Sequence, residues 1–176
     1  MITEADYLES SFREKLLEHV FLSELLQVAW LGRGRKTVEV LKPEVDNAGY
    51  DLVLECQGTR RYVQLKSSAQ GSSTKQTQVN AKLAEKLGGC VIWLWFDDTT
   101  DNRIVLRYLF LEATREGWSI RECPLARRTT ANAQGYKPER RNTHVIHKTR
   151  FEEKNIADLF DTLFPDLNQQ LLTLNW

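Results

Sequence analysis

The sequence predicts an α/β fold, a single domain over residues 1–176 with helices on both sides of a mixed sheet. Three observations carry that prediction. Apolar residues recur at helical spacing over residues 3–31. Stretches 37–41, 50–56 and 60–67 read as strands. A second helical pattern over 75–87 then leads into CVIWLWF at 90–96. That run is apolar throughout, as expected of a strand buried on both faces.

The first helix offers two apolar series, Leu8, Phe12, Leu16, Val20 and Leu17, Phe21, Leu25, Val28. Glu24 stands four residues after Val20 and three after Phe21, on the apolar side, where a carboxylate is costly without a partner. Gly32-Arg33-Gly34-Arg35 ends the helix. After the strand at 37–41, residues 43–49 form a loop whose acids, Glu44 and Asp46, read as turn residues with some capacity to join a metal site. Two strands follow, joined around Gln57-Gly58-Thr59, and then a Ser- and Gly-rich loop at 67–74. The helix at 75–87 would bury Val79, Leu83 and Leu87 and end at Gly88-Gly89.

Beyond the apolar strand, 97–102 is an acidic turn, 103–111 a strand, 117–128 irregular and 129–142 a polar loop. Val145 lies in a short strand between His144 and His147, a His-x-x-His spacing that does not by itself define a zinc site. Asn155 is placed to cap a helix at 156–164, with Ile156, Leu159, Phe160 and Leu163 on its core face. Pro165 stops it. The apolar end, with Leu171, Leu172, Leu174 and Trp176, suits a last helix packed on the core or against a second copy.

Composition narrows the classes. Hydrophobic residues make up 41% and charged residues 27% of the chain, ordinary for a globular domain. No run approaches the ~20 apolar residues of a membrane span. The acidic N-terminus lacks the apolar core of a signal peptide. Three scattered cysteines, Cys56, Cys90 and Cys123, with no CxxC, fit reduced thiols in a cytoplasmic protein. The formal net charge is zero, so no global field steers the chain to nucleic acid. The charge is unevenly placed, however. Residues 1–30 carry six acids and two bases, whereas 121–150 carry eight bases and two acids. Within that basic stretch Arg140, Arg141, Lys148 and Arg150 are candidate phosphate contacts. Lys75 and Gln78, at the start of the second helical pattern, are weaker candidates for the same role.

The stretch YDLVLECQGTRRYVQLKSS, residues 50–68, concentrates the chemistry. Side chains alternate along a strand, so Asp51, Val53 and Glu55 share one face, and Tyr62, Gln64 and Lys66 share one face of the next strand. A two-residue loop at Gly58-Thr59 sets Asp51 opposite Lys66, and one at Gln57-Gly58 sets it opposite Gln64. Either register gathers Asp51, Gln64 and Lys66 on one face at cross-strand distances of roughly 5 Å. A three-residue loop would separate them. A carboxylate, an amide oxygen and an ammonium held that close suit phosphodiester hydrolysis with Mg²⁺, a hard ion that takes oxygen ligands. An exposed cross-strand ion pair is the plainer explanation of the same residues.

The D-x12-Q-x-K pattern across a hairpin resembles the PD-(D/E)xK nuclease superfamily, in the branch with Gln for the central acid. VQLKSS at 63–68 looks most like the Mrr-like and resolvase-like members, and the GYDLVLE…QLKSS arrangement is similar to a group of bacterial proteins. The resemblance implies a restriction-endonuclease-like αβββαβ core over residues 3–96, with strands and helices appended over 103–176. It implies Mg²⁺ or Mn²⁺ held by Asp51, by an acid of the first helix, here Glu24, and by Gln64. Lys66 would position the attacking water and stabilise charge. It also implies DNA as substrate, a 5′-phosphate product and often a homodimer. One departure is that Gly49-Tyr50, not Pro, precedes Asp51. Two other classes stay open: a nuclease-fold DNA-binding module without catalysis, since Gln64 leaves only two firm carboxylates, and an interaction protein using the apolar C-terminus.

Overall fold

The computed structural model describes residues 4–45, 48–99, 102–128, 130 and 137–165, with side chains from Glu9 onward. The architecture is mixed α/β. A long helix, α1 (Glu4–Gln27), ends in a wider π-helical turn, Val28–Gly32. Gly34 and Arg35, both at positive φ, then turn the chain away. Three strands follow: β1 (Glu39–Leu41), β2 (Leu52–Cys56) and β3 (Thr59–Ala69). Next come β4 (Gln76–Asn80), a 3-10 turn at Ala81–Glu85, and β5 (Gly89–Asp97). The chain continues through β6 (Val105–Glu112), β7 (Thr114–Arg115), β8 (Trp118–Ser119), β9 (Leu125–Arg127), β10 (Glu139–His147) and β11 (Glu152–Lys154) to α2 (Ile156–Leu163).

Six strands form the main sheet in the order β1-β2-β3-β5-β6-β11. It is mixed, because β3 and β5 run parallel over eight paired residues while the other neighbours are antiparallel. Its central strand β5 is buried through Phe96, as the apolar run 90–96 predicts. One face packs Leu52, Leu54, Val63, Ile92 and Leu94 against Leu17, Phe21 and Leu25 of α1 and Leu159 and Phe160 of α2. The other face packs Val91, Trp93 and Leu111 against Val79, Leu83, Ile120 and Ile146. That second cover is built around a three-stranded sheet, β4-β10-β9, so α1 and α2 share one face and the expectation of helices on both sides is corrected. The helix α2 begins where the sequence places it, with the Asn155 side chain accepting from Asp158 N at 2.9 Å.

Several expectations are corrected. The helix expected over 75–87 is instead β4 and a 3-10 turn, so the αβββαβ order fails at its fifth element. Thr77 and Val79 turn inward along β4 and Gln76 and Gln78 outward, a two-residue period secured by pairing with β10. Leu87, expected on the buried face, is 94% exposed. Ser67 to Ala69, expected in a loop, continue β3, because pairing with β5 runs on to Ala69↔Phe96. The polar loop ends early, as β10 begins at Glu139, and the stretch read as irregular holds β8 and β9. Of the two apolar series on α1 only Leu17, Phe21, Leu25 is core, continued by Ala29, and Phe12 is 71% exposed. Asp46 and residues 166–176, including the proposed last helix and dimer contact, lie outside the described residues.

No helix among the described residues is long and apolar enough to cross a membrane.

Candidate active site

The hairpin turn fixes the geometry. Gln57 and Gly58 sit at φ 49° and 83°, the paired positive values of a type I′ turn, whose twist matches that of the strands it joins. The turn pairs Cys56 with Thr59 and carries the ladder to Leu52↔Val63. This is the second of the two registers weighed from sequence. Beyond that pair β2 leaves the ladder. Asp51 N donates to Val63 O at 2.8 Å, and the Asp51 carboxylate accepts from Leu65 N at 2.7 Å. The aspartate thus replaces a strand neighbour for β3 and is held in a fixed orientation by doing so.

Asp51, Gln64 and Lys66 line one cleft of about 400 Å³, together with Leu65, Ser67 and Leu94 and with Glu14, Lys15, Leu17 and Glu18 of α1. Gln64 is only 9% exposed, and its side-chain carbonyl accepts from Asn80 N at 3.1 Å. That bond fastens the end of β4 to β3. Gly49, at φ +81°, lies so close to Asn80 that a Cβ there would meet the Asn80 side chain at 3.1 Å. Lys66 is half-buried, and no acid among the described residues neutralises it. Glu18 is 4% exposed and ion-paired to Lys15 and to Lys42. Burial alone would raise its carboxyl, but the hydrogen bonds and charges of the two lysines outweigh it and hold the group below the usual carboxylate range.

Glu24, the acid expected to join Asp51, does not line the cleft. Its carboxylate accepts a 2.5 Å hydrogen bond from the Tyr108 hydroxyl on the helix side of the sheet. Burial first, and then this bond, push the Tyr108 phenol well above its ordinary value. The helix explains the difference. Glu24 is six residues beyond Glu18, roughly 9 Å along the axis and about 120° away around it. Glu14 and Glu18, one turn apart, occupy the face that reaches the cleft. Their four-residue spacing was visible in the sequence, but the choice between the two apolar series of α1 decides which acids face where. Asn80 was also missed, although Asn before Ala-Lys-Leu-Ala-Glu is a capping signal. Its side chain accepts from Lys82 N at 3.0 Å.

The basic candidates gather on the smaller sheet. Arg140 donates to Gln78 Oε1 at 3.4 Å across the β4–β10 pairing. Lys148 N donates to Lys75 O at 2.8 Å, and the Lys148 ammonium sits 3.4 Å from the Trp95 ring centroid. Arg150 lies over Trp118, and Arg141 is exposed on β10. This sheet covers the same face of the main sheet from which Gln64 and Lys66 project. His144 and His147 do not converge: the first is buried with Nδ1 2.6 Å from Cys123 O, the second is exposed beside Thr149. Glu44 is exposed in the loop before β2.

The donor set bears on a metal ion. No group of three or more His, Cys, Asp or Glu side chains forms a metal cage among the described residues. Asp51, Glu14 and Glu18 line the cleft, and both oxygens of Glu18 are already paired with Lys15 and Lys42. Mg²⁺ keeps several waters and commonly takes one or two protein carboxylates, so it asks less of a donor set than an ion needing a full protein cage. No protein-family model, curated protein or solved structure matches the chain.

Proposed function

We propose that the chain is a metal-dependent nuclease that hydrolyses phosphodiester bonds, with DNA the first substrate class to try. The observation that carries this reading is the I′ register, which brings Asp51, Gln64 and Lys66 into a cleft also lined by Glu14 and Glu18. Asp51 and the α1 acids would hold Mg²⁺ or Mn²⁺, with Glu14 or Glu18 in the role expected of Glu24. When bound, the ion supplies activation of water and polarisation of the phosphate. The Leu65 N–H orients the Asp51 carboxylate. Gln64, tied to Asn80, sets the spacing between the two sheets at the cleft and presents its amide there. Lys66 places positive charge where the phosphoryl oxygens gain negative charge, and a donor where the attacking water sits.

The test is cleavage of mixed DNA and RNA substrates with Mg²⁺ or Mn²⁺. Asp51→Asn keeps an acceptor for Leu65 N–H while removing the charge, and Lys66→Ala removes the ammonium. Both are expected to lower the rate by at least about 10²-fold without loss of fold. Metal-dependent cutting that survives both changes would sink the proposal. A second reading, a nucleic-acid-binding module without catalysis, is favoured by the engagement of the Gln64 oxygen with Asn80. It predicts salt-sensitive binding by wild type and both variants, and cutting by none.

A further inference from the structure

A second hollow, of about 290 Å³, opens on the smaller-sheet side, bounded by Trp118, Glu122, Cys123, Pro124, Val145, His147 and Arg150. Its volume is at the lower end for a small-ligand site and suits a single flat ring rather than an extended ligand. Trp118 is half-buried against the core beneath it. The guanidinium groups of Arg115 and Arg150 lie 5.4 and 5.9 Å from its ring centroid. Both arginines are exposed, and neither is ion-paired among the described residues. Val145 and His147 on the outer side of β10 lead from the hollow towards Arg141 and the Arg140–Gln78 contact.

We infer that this hollow docks one unpaired base of a single-stranded nucleic acid, with Trp118 as the stacking surface and Arg115 and Arg150 on the flanking phosphates. An aromatic plate beside a line of cations is the combination that single-strand binding uses. Stacking takes any base, and the cations follow the backbone. Duplex is disfavoured, because its bases are already stacked on one another. The register links this hollow to the cleft. His147 pairs with Gln76, and Asn80, four residues along β4, donates to Gln64. Four strand residues span roughly 13 Å, about four nucleotides of a stacked strand. The proposal shares nucleic acid with the reading of the cleft but needs none of its chemistry.

The experiment is fluorescence anisotropy of labelled oligo-dT and oligo-rU of about 12 nucleotides and of a duplex of equal length. It is run with EDTA present at two salt concentrations, and unfolding curves confirm the fold of each variant. Wild type should bind the single strands, more weakly at higher salt. Trp118→Leu should weaken that binding at least roughly fivefold, the lower end for loss of one stacked base. Trp118→Phe should retain most of it. Should Trp118→Leu fail to fold, Arg115→Gln and Arg150→Gln, both at exposed positions, decide the matter, each expected to weaken binding and flatten its salt dependence. Wild type that ignores single strands, variants that bind like wild type, or a duplex bound as tightly as single strands would each overturn the assignment. Wild type that cuts nucleic acid with Mg²⁺ but shows no Trp118-dependent binding in EDTA would overturn the hollow alone, and wild type that binds without cutting would overturn the reading of the cleft alone.

Discussion

The two faces of the main sheet are covered in different ways. On one side α1 and α2 lay down a dry layer of Leu17, Phe21, Leu25, Leu159 and Phe160. On the other, a three-stranded sheet brings tryptophans, lysines and amides: Trp93 donates to Ser68 at 3.1 Å, Lys148 caps Trp95, and Asn80 donates to Gln64. The helix side holds the fold by volume, and the sheet side adds matched polar groups to an apolar layer of its own. Gln64 and Lys66 project towards the second side, by alternation with Val63 along β3. Among the described residues one buried polar atom on that side, Trp95 Nε1, has no hydrogen-bond partner. The α1 acids reach the cleft around the sheet margin where β2 leaves β3.

This contrast can be broken or sharpened by three substitutions. The largest effect is expected on the helix side. Phe21→Ala removes a fully buried ring that packs on Tyr108 at 5.9 Å between centroids, and should cost about 3–5 kcal/mol in urea unfolding. A loss under about 1 kcal/mol would mean that the helix layer is not what holds the sheet.

A smaller effect is expected where the polar side is pinned. Gln64→Leu fills a similar volume but leaves Asn80 N–H without its acceptor, and should cost about 1–3 kcal/mol. Gln64→Glu keeps an acceptor for that N–H and adds a carboxylate to the cleft. It should be milder in unfolding and should tighten Mn²⁺ binding measured by calorimetry. If both variants match wild type in unfolding and in metal affinity, the amide neither pins the sheets nor faces the metal.

The smallest effect concerns pH. Glu18 titrates lower in the folded chain than its ordinary 4.5. The stability it contributes is therefore fully present above the unfolded value and is lost as pH falls through the lowered folded value. Lys42→Ala removes the largest of the influences that lower it. Acid unfolding, followed by circular dichroism, should then begin at higher pH, while the melting temperature changes less at neutral pH. An unchanged acid limb would show that Lys15 alone suffices.

What could be read in the sequence followed the range of the interactions involved. The hairpin could be read because its register is set within 20 residues by a tight turn and a period of two. The helix α2 could be read because Asn155 caps it locally. The strand β4 could not. Val79 and Leu83 are spaced for a helix as well as for a strand followed by a 3-10 turn, and the partner that decides, β10, lies some 60 residues further on. The acid on α1 failed for a related reason. The sequence offers two apolar series, and only packing reveals that Leu17, Phe21 and Leu25 face the sheet while Phe12 faces solvent. That rotation directs Glu24 to Tyr108 and Glu18 to the cleft.

The end of the β2–β3 ladder has one more consequence. From Gln64 to Ala69, β3 keeps its bonds to β5 but has no strand on its other flank among the described residues. An open flank of that length is a template on which a foreign chain can add itself. The Asp51 carboxylate occupies the first vacant donor, Leu65 N–H, and places a negative charge at the point where such addition would start. The residue proposed to bind metal therefore also covers the start of that flank. A neutral, acceptor-free residue there would uncover the Leu65 N–H and remove the charge from the cleft at once.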